Sequence, residues 1–266
     1  MANLLSRSVI WRYRYFILTS IKSDFQSRVA RSRLGLLWIV ISPLSQVVIY
    51  AFVLSSLMSQ RLPGIDTPFA YSIYLLAGFQ CWFLFVEVIN RCLSIFIDNG
   101  NALKKISFPR LALPIIAVGS SILNNLIFFG LVNLAFLLVG FHPGWNVLWF
   151  PVLLIVTSAF ATGFGLICGI LNVFMRDVGQ VVAIILQFGF WMTPVVYTID
   201  ILPKMFQMIV KLNPVYWLVD SYHRVLVYNT YPNLLSLAAI AGFAAVLLAL
   251  AFMLFRKASG EMVDVL

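Results

Sequence analysis

Acid is scarce in this sequence: nine Asp and Glu residues are spread over 266 positions, beside two histidines and three cysteines. A catalytic centre needs ionisable or nucleophilic groups that converge, and there are few here to converge. No Ser/His/Asp set, no paired carboxylates and no metal-ligand spacing emerge. His142 stands beside Pro143 and Gly144 in a turn, His223 lies in a later polar segment, and neither has a visible partner. Cys81, Cys92 and Cys168 fall in or beside apolar runs without CxxC spacing, which suits small core hydrophobes better than disulfides or metal ligands. The phosphate-cradling GxxxxGK[ST] loop is absent, and no Gly-Lys dipeptide occurs. The expectation is a chain that is not an enzyme and binds no metal and no cofactor. Any nucleotide energy it uses must be bound by a different polypeptide.

Charge of either sign is also scarce. Charged residues make up 10% of the chain against 62% hydrophobic, and the mean hydropathy is +0.99. A water-soluble domain of this length needs far more polar surface to cover its core, so lipid must be the solvent. Six apolar runs approach or exceed the ~20 residues that a helix needs to cross a ~30 Å hydrocarbon core: 36–58, 70–90, 113–139, 147–174, 179–196 and 234–255. The alternating pattern of a membrane β-barrel is missing, which leaves helices that satisfy their own backbone. The expected fold is an all-α integral membrane protein with six transmembrane helices.

Lysine and arginine then set the orientation, because they accumulate in cytoplasmic loops. Arg7, Arg12, Arg14, Lys22, Arg28, Arg31, Arg33, Arg91, Lys104, Lys105, Arg110, Arg176, Arg256 and Lys257 share one side; Arg61, Lys204, Lys211 and Arg224 share the other. Both termini, including the tail 256–266, are expected in the cytoplasm. The net charge of +9 is therefore mainly a topology signal, with anionic phospholipid as the neighbour it implies. No cationic stripe with interleaved aromatics supports nucleic-acid binding. Residues 1–35 contain no uninterrupted apolar core of the signal-peptide kind, so no cleavage is expected there.

Three segments depart from simple spans. In 1–35, Trp11, Tyr15, Leu18, Lys22, Phe25 and Val29 recur at three-to-four spacing, with Arg12, Arg14, Asp24, Arg28 and Arg31 elsewhere on the wheel. This predicts an amphipathic helix on the inner membrane surface, or one packed on another subunit. In 197–232, two apolar pieces, 201–212 and 215–227, are broken by Asn213-Pro214. Each is about half a crossing long, which predicts an external re-entrant hairpin of half-helices, or a hairpin lying flat. In 161–169, Ala161, Gly165 and Gly169 repeat every four residues beside Gly163, a face on which helix backbones can approach closely.

The stretch 91–110 reads RCLSIFIDNGNALKKISFPR. Asn99-Gly100 is a helix stop, Asn101 can cap a new helix, and 102–108 is too short to stand alone. Leu103, Ile106 and Phe108 would face one way, Lys104 and Lys105 another. Apolar knobs ringed by cations suit a plug for a groove on a cytoplasmic partner, although a basic tether would also explain the lysines. Within the spans the ionisable residue is Glu87, with Arg91 one turn later at the spacing of a structural ion pair.

Taken together these motifs resemble the permease subunits of ABC exporters for bacterial surface polysaccharides, the O-antigen, capsule and teichoic acid group. RSRLGLLWIVISP (31–43) is similar to that family's entry to its first span and NALKKISFPR (101–110) to its coupling segment. LNVFMRDV (171–178) is similar to the turn after its fourth span, and TPVVY (193–197) with LNPVYWLVDSYHRVLV (212–227) to its external hairpin. The resemblance runs almost end to end. It implies a homodimer in the bacterial inner membrane, each copy resting on a separate ATP-binding subunit that holds ATP and Mg, with a channel for a lipid-linked polysaccharide between them. It implies that the coupling segment 98–109, through Asn101, Leu103, Lys104, Lys105, Ile106 and Phe108, meets the ATPase. The helix bearing Trp11, Tyr15, Phe25, Arg28 and Arg31 would gate the inner side, and the half-helices would close the outer mouth.

A sugar passage needs groups that hold weakly, and aromatic faces do so without charge. Trp82, Phe83, Phe188, Trp191, Tyr197, Tyr216 and Trp217 are the candidates for its lining, although Trp and Tyr also anchor spans at lipid interfaces. The reading is a non-catalytic, channel-forming subunit of an ATP-driven exporter of undecaprenyl-linked polysaccharide, O-antigen foremost. A drug or haem efflux permease keeps the same architecture. An integral membrane glycosyltransferase or lipid-phosphate hydrolase would require acidic or histidine clusters at a membrane face.

Overall fold

The computed structural model describes residues 14–30, 37, 41, 44, 45, 49, 69–104 and 112–265. The expected first span at 36–58 lies almost wholly outside them, as do Trp11, Arg31, Lys105, Ile106, Phe108 and the side chains of Phe25, Arg28 and Asn101. Among the described residues every regular element is helical. In chain order they are α1 (Arg14–Ala30), α2 (Ala70–Asp98), α3 (Gly100–Leu103), α4 (Ala112–Leu138), a 3-10 turn (Trp145–Trp149), α5 (Phe150–Phe174) and α6 (Asp177–Met192). A second 3-10 turn (Ile199–Ile201) precedes α7 (Lys204–Leu212), α8 (Pro214–Leu226), α9 (Leu234–Ala258) and α10 (Glu261–Val265). Among the described residues, four helical stretches are long and apolar enough to cross a membrane: α2, α4, the 3-10 turn with α5, and α9.

α2 is the axis of the bundle. It packs on α4, α5 and α8, and Leu75, Ala77, Cys81, Leu84, Val88, Ile89 and Cys92 are wholly buried along it. Its 29 residues amount to about 43 Å at 1.5 Å per residue, longer than the hydrocarbon core. It therefore carries a rigid extension past the inner ring of apolar packing, up to Asp98.

The small residues of α5 do what their spacing predicts. A Cβ at Gly165 would stand 2.9 Å from the Cβ of Cys92, and one at Gly169 would run into the Cys92 carbonyl. Gly163, two positions from Gly165 and so on nearly the opposite face, meets Leu247 of α9 instead, at 2.7 Å. α5 is thus sandwiched between α2 and α9 at two distances that only glycine allows.

The fifth apolar run differs from its expected extent. The helix is Asp177–Met192, 16 residues or about 24 Å, and the chain leaves helical geometry at Thr193. Extended backbone at membrane depth is tolerated only when protein covers it, and here it is covered. Thr193, Val195 and Val196 are buried, and tyrosines of α2 satisfy the freed carbonyls: Tyr71 donates to Val196 O at 2.8 Å, and Tyr74 to Tyr197 O at 3.0 Å.

The stripe on α5 gives a stability test. Gly169→Ala places a methyl against the Cys92 backbone and is expected to cost about 1–3 kcal/mol, the usual range for overpacking. Gly242→Ala on α9, where a Cβ meets nothing within 4 Å, is expected to be neutral. Thermal unfolding of the two purified variants in detergent compares them, and equal midpoints would contradict the close approach.

Candidate functional site

Several polar residues in the long apolar helices are paired between helices. Gln80 of α2 and Asn125 of α4 form a reciprocal clasp. The Gln80 amide donates to Asn125 Oδ1 at 2.8 Å and to its carbonyl at 3.1 Å, while the Asn125 amide donates to the Gln80 carbonyl at 2.9 Å. Two turns further along α2, Glu87 accepts from Arg91 Nε and Nη2 at 2.9 and 2.7 Å and from Asn124 of α4 at 2.7 Å. The expected Glu87–Arg91 pair is present. Arg91 also reaches Asp24 of α1 through Nη1 at 2.8 Å, a contact 67 residues away that spacing could not reveal.

Glu87 and Arg91 line an open cleft of about 620 Å³ with Trp82, Phe83, Val86, Asn90 and Ser94. Its wall is one stripe of α2, aromatic at Trp82 and Phe83 and charged at Glu87 and Arg91 toward the C-terminal end of the helix. Two of the candidate lining aromatics border this space, Phe83 half-buried and Trp82 buried at 7% exposure. Phe188 and Trp191 lie on the outer face of α6 at 67% and 55% exposure. α6 touches the bundle through Val182, Leu186 and Phe190 and presents Gln180, Gln187, Val181, Ile184 and Ile185 outward.

The outer aromatics are less uniform. Tyr197 and Trp217 are half-buried, and their polar atoms are engaged: Tyr197 donates to Trp191 O and Trp217 to Lys211 O, both at 2.9 Å. Tyr216 is buried, at 6% exposure, so within this chain it packs rather than lines. The sequence left His223 without a partner, and the structure corrects this. Its ring stacks on Tyr74 with centroids 3.7 Å apart, and Nε2 donates to the Tyr74 carbonyl at 3.1 Å. The approach requires Gly78, where a Cβ would lie 2.9 Å from His223 Nε2 and 2.6 Å from the Val195 carbonyl.

The two half-helices have distinct roles. Asn213 separates them, its side chain accepting from Val215 N to cap α8 and donating to Thr193 at 2.9 Å, with Pro214 at the first helical position. α8 is embedded in the bundle, with Leu218, Val219, Tyr222 and Val225 wholly buried. α7 exposes Met205, Phe206, Met208, Ile209 and Leu212.

At the inner end, α2 stops at Asp98 and α3 begins at Gly100, two residues before the expected start. Asn99 holds the stop by donating to the Ile95 carbonyl at 2.8 Å. Leu103 does not project as a knob: at 3% exposure it is seated among Ile95, Phe96, Leu113, Ile170, Val173 and Met262. It anchors the turn to the bundle, and Lys104 is left exposed beside it. On α1 the expected apolar face is exposed at Tyr15 and Leu18, while Ile17 is buried against the bundle.

Comparison with known proteins gives this arrangement a family. The profile of the ABC-2 type transporter family matches residues 15–227. The chain belongs to the ABC-2 type transporters. It is 25% identical over 257 residues to the O-antigen export system permease protein RfbA of Myxococcus xanthus, covering 96% of each chain. To the protein of the same name from Klebsiella pneumoniae it is 30% identical over 254 residues, covering 91% of this chain and 92% of that one. It is 21% identical over 238 residues to the polysialic acid transport protein KpsM of Escherichia coli, covering 88% and 89%. This ABC-2 transporter is accordingly a multi-pass protein of the bacterial inner membrane, a permease rather than a catalyst.

Gln80, Asn124 and Asn125 carry no ionisable group and so stand outside the candidates that the sequence marks by charge. An amide inside a 20-residue apolar run was the available signal.

The seat of α8 can be tested at Gly78. In a background with Cys81, Cys92 and Cys168 replaced, Ser221→Cys, at a buried position, is expected to resist maleimide labelling. Adding Gly78→Val should displace His223 and make that cysteine reactive several times faster. Unchanged labelling would show that α8 does not depend on this contact.

Proposed function

We propose that this protein is the channel-forming transmembrane subunit of an ATP-driven exporter that moves undecaprenyl-linked polysaccharide, O-antigen foremost, across the inner membrane. The observation that carries this reading is the end-to-end match to an O-antigen export permease, 96% of each chain. The polysaccharide transport name of the KpsM relative supports the same cargo class.

The working unit in this reading is a homodimer with two copies of a separate ATPase, which binds ATP and Mg. The face of α6 supports the dimer, because Gln180 and Gln187 stand exposed on it, and amides are costly against lipid tails. A second copy or a water-filled passage would receive them. Each protomer contributes six spans, with both termini cytoplasmic. α7 and α8 form a re-entrant outer hairpin. The embedded α8 provides the fixed support and α7 the outward amphipathic face.

The geometry suits a coupling role for 98–109. A push from the partner on Lys104 and the residues after it would be carried by Leu103 into the inner packing cluster and along α2 to the cleft. Aromatic Trp82 and Phe83 could then hold sugar rings weakly while the chain moves past.

Lys104→Asp and Phe108→Asp are each expected to leave the protein in the membrane with its ATPase bound. Export should nevertheless fall by about tenfold or more, the size of a typical coupling free energy between sites. Surface polysaccharide on cells carrying each variant measures export, and ATP hydrolysis by the purified complex measures the motor. Normal export from both variants would remove the coupling assignment. Sugar analysis of material retained by a deletion strain tests the cargo: accumulated lipid-linked glycan is expected, and its absence together with drug or haem sensitivity would favour an efflux permease.

A further inference from the structure

Arg91 joins three helices at one point. Its Nε and Nη2 are held by Glu87 within α2, Glu87 in turn accepts from Asn124 of α4, and its Nη1 donates to Asp24 of α1. Arg91 is 12% exposed, while Asp24 is 35% exposed. The guanidinium fork is what makes this possible, because its planar donors can serve two carboxylates from different directions.

α1 has a second attachment on the same face. Ile17, Ile21 and Asp24 recur at i, i+4 and i+7, which places them in one row. Ile17 is buried, and Ile21 occupies the space left by the missing side chain of Gly119 on α4, where a Cβ would lie 2.6 Å from Ile21 Cδ1. The two contacts differ in kind. The apolar seat is a fixed fit of shapes. The charged contact can open without stranding Arg91, since Glu87 keeps its Nε and Nη2 when Asp24 leaves. An arginine left with no partner in this setting would be strongly disfavoured.

The charged contact is also within mechanical reach of the inner turn. From Arg91 to Asp98 the helix is unbroken, about 10 Å of rigid rod, and α3 follows with Leu103 bedded beside Ile95 and Phe96 of the same helix. Motion imposed at Lys104 therefore arrives at Arg91 as a displacement of α2 relative to α1.

We propose that Asp24 and Arg91 form a releasable latch that positions α1 at the edge of the inner cleft, with Glu87 and Asn124 holding Arg91 in place whether the latch is shut or open. Asp24 and Arg91 are positioning residues: they act through the placement of α1. The role in transport rests on the exporter reading, whereas the latch itself is a property of this chain.

The test is a cross-link that reads the seat of α1 directly. In the full-length protein in its native membrane, with the three natural cysteines replaced, Ile21→Cys and Gly119→Cys are expected to form a disulfide readily on mild oxidation. Adding Asp24→Asn should lower the yield severalfold, and Asp24→Glu, which keeps the charge, should restore most of it. Monodisperse elution in detergent confirms that each variant is folded. An unchanged yield with Asp24→Asn would overturn the latch, as would an equal loss with Asp24→Glu, which would make shape rather than charge decisive. Export is measured in the same cells with the natural residues at 21 and 119, and Asp24→Asn is expected to reduce it with ATP hydrolysis retained. If the unmodified protein exports no polysaccharide while the cross-link still answers to charge at residue 24, the exporter reading fails and the latch stands. If export is normal and the cross-link is indifferent to Asp24, the latch fails alone.

Discussion

A polar group placed in hydrocarbon must find its partner within the protein, because no water is there to supply one. Several features of this chain answer that constraint. Gln80 and Asn125 answer one another across α2 and α4. The carbonyls released where α6 ends early are taken by Tyr71 and Tyr74, and the Tyr74 carbonyl accepts from His223. Burial of apolar surface gives little preference among helix arrangements in a membrane, so these directional contacts do much to fix which helix meets which.

Their distribution divides the molecule. The end around Gly78 and Val195 is held by neutral hydrogen bonds and close backbone approach deep in the packing. The end around Arg91 adds, to the close packing of Cys92 on Gly165 and Gly169, a charged cluster that borders an open cleft. Charged contacts near water respond to geometry and surroundings more readily than buried packing does. The end of the bundle nearest the inner turn is therefore the end better suited to rearrange, and α2 is the element that both ends share.

Much of this fold was legible in the sequence, for identifiable reasons. Apolar run length located the long helices α2, α4, α5 and α9, since a crossing imposes its own length. Asn213-Pro214 announced the break between α7 and α8, because proline suits a helix start and asparagine caps one. The Glu87–Arg91 pair followed from helical spacing. What stayed hidden was the meeting of residues distant in the chain. Asp24 looked like one more polar residue on a surface wheel, His223 looked solitary, and Leu103 looked like a projecting knob. In each case the deciding neighbour belongs to another helix, and local periodicity carries no information about it. The early end of α6 was hidden similarly, because the tyrosines that make an extended segment tolerable lie about 120 residues earlier.

The small inner packing cluster includes one residue from the last helix: Met262, at 2% exposure, lies against the same side chains that seat Leu103. The final turn of the chain is therefore a wedge beneath the inner turn rather than loose string. An affinity tag or fluorescent fusion placed directly after α10 would tug on the joint that seats Leu103, so labels belong behind a generous spacer.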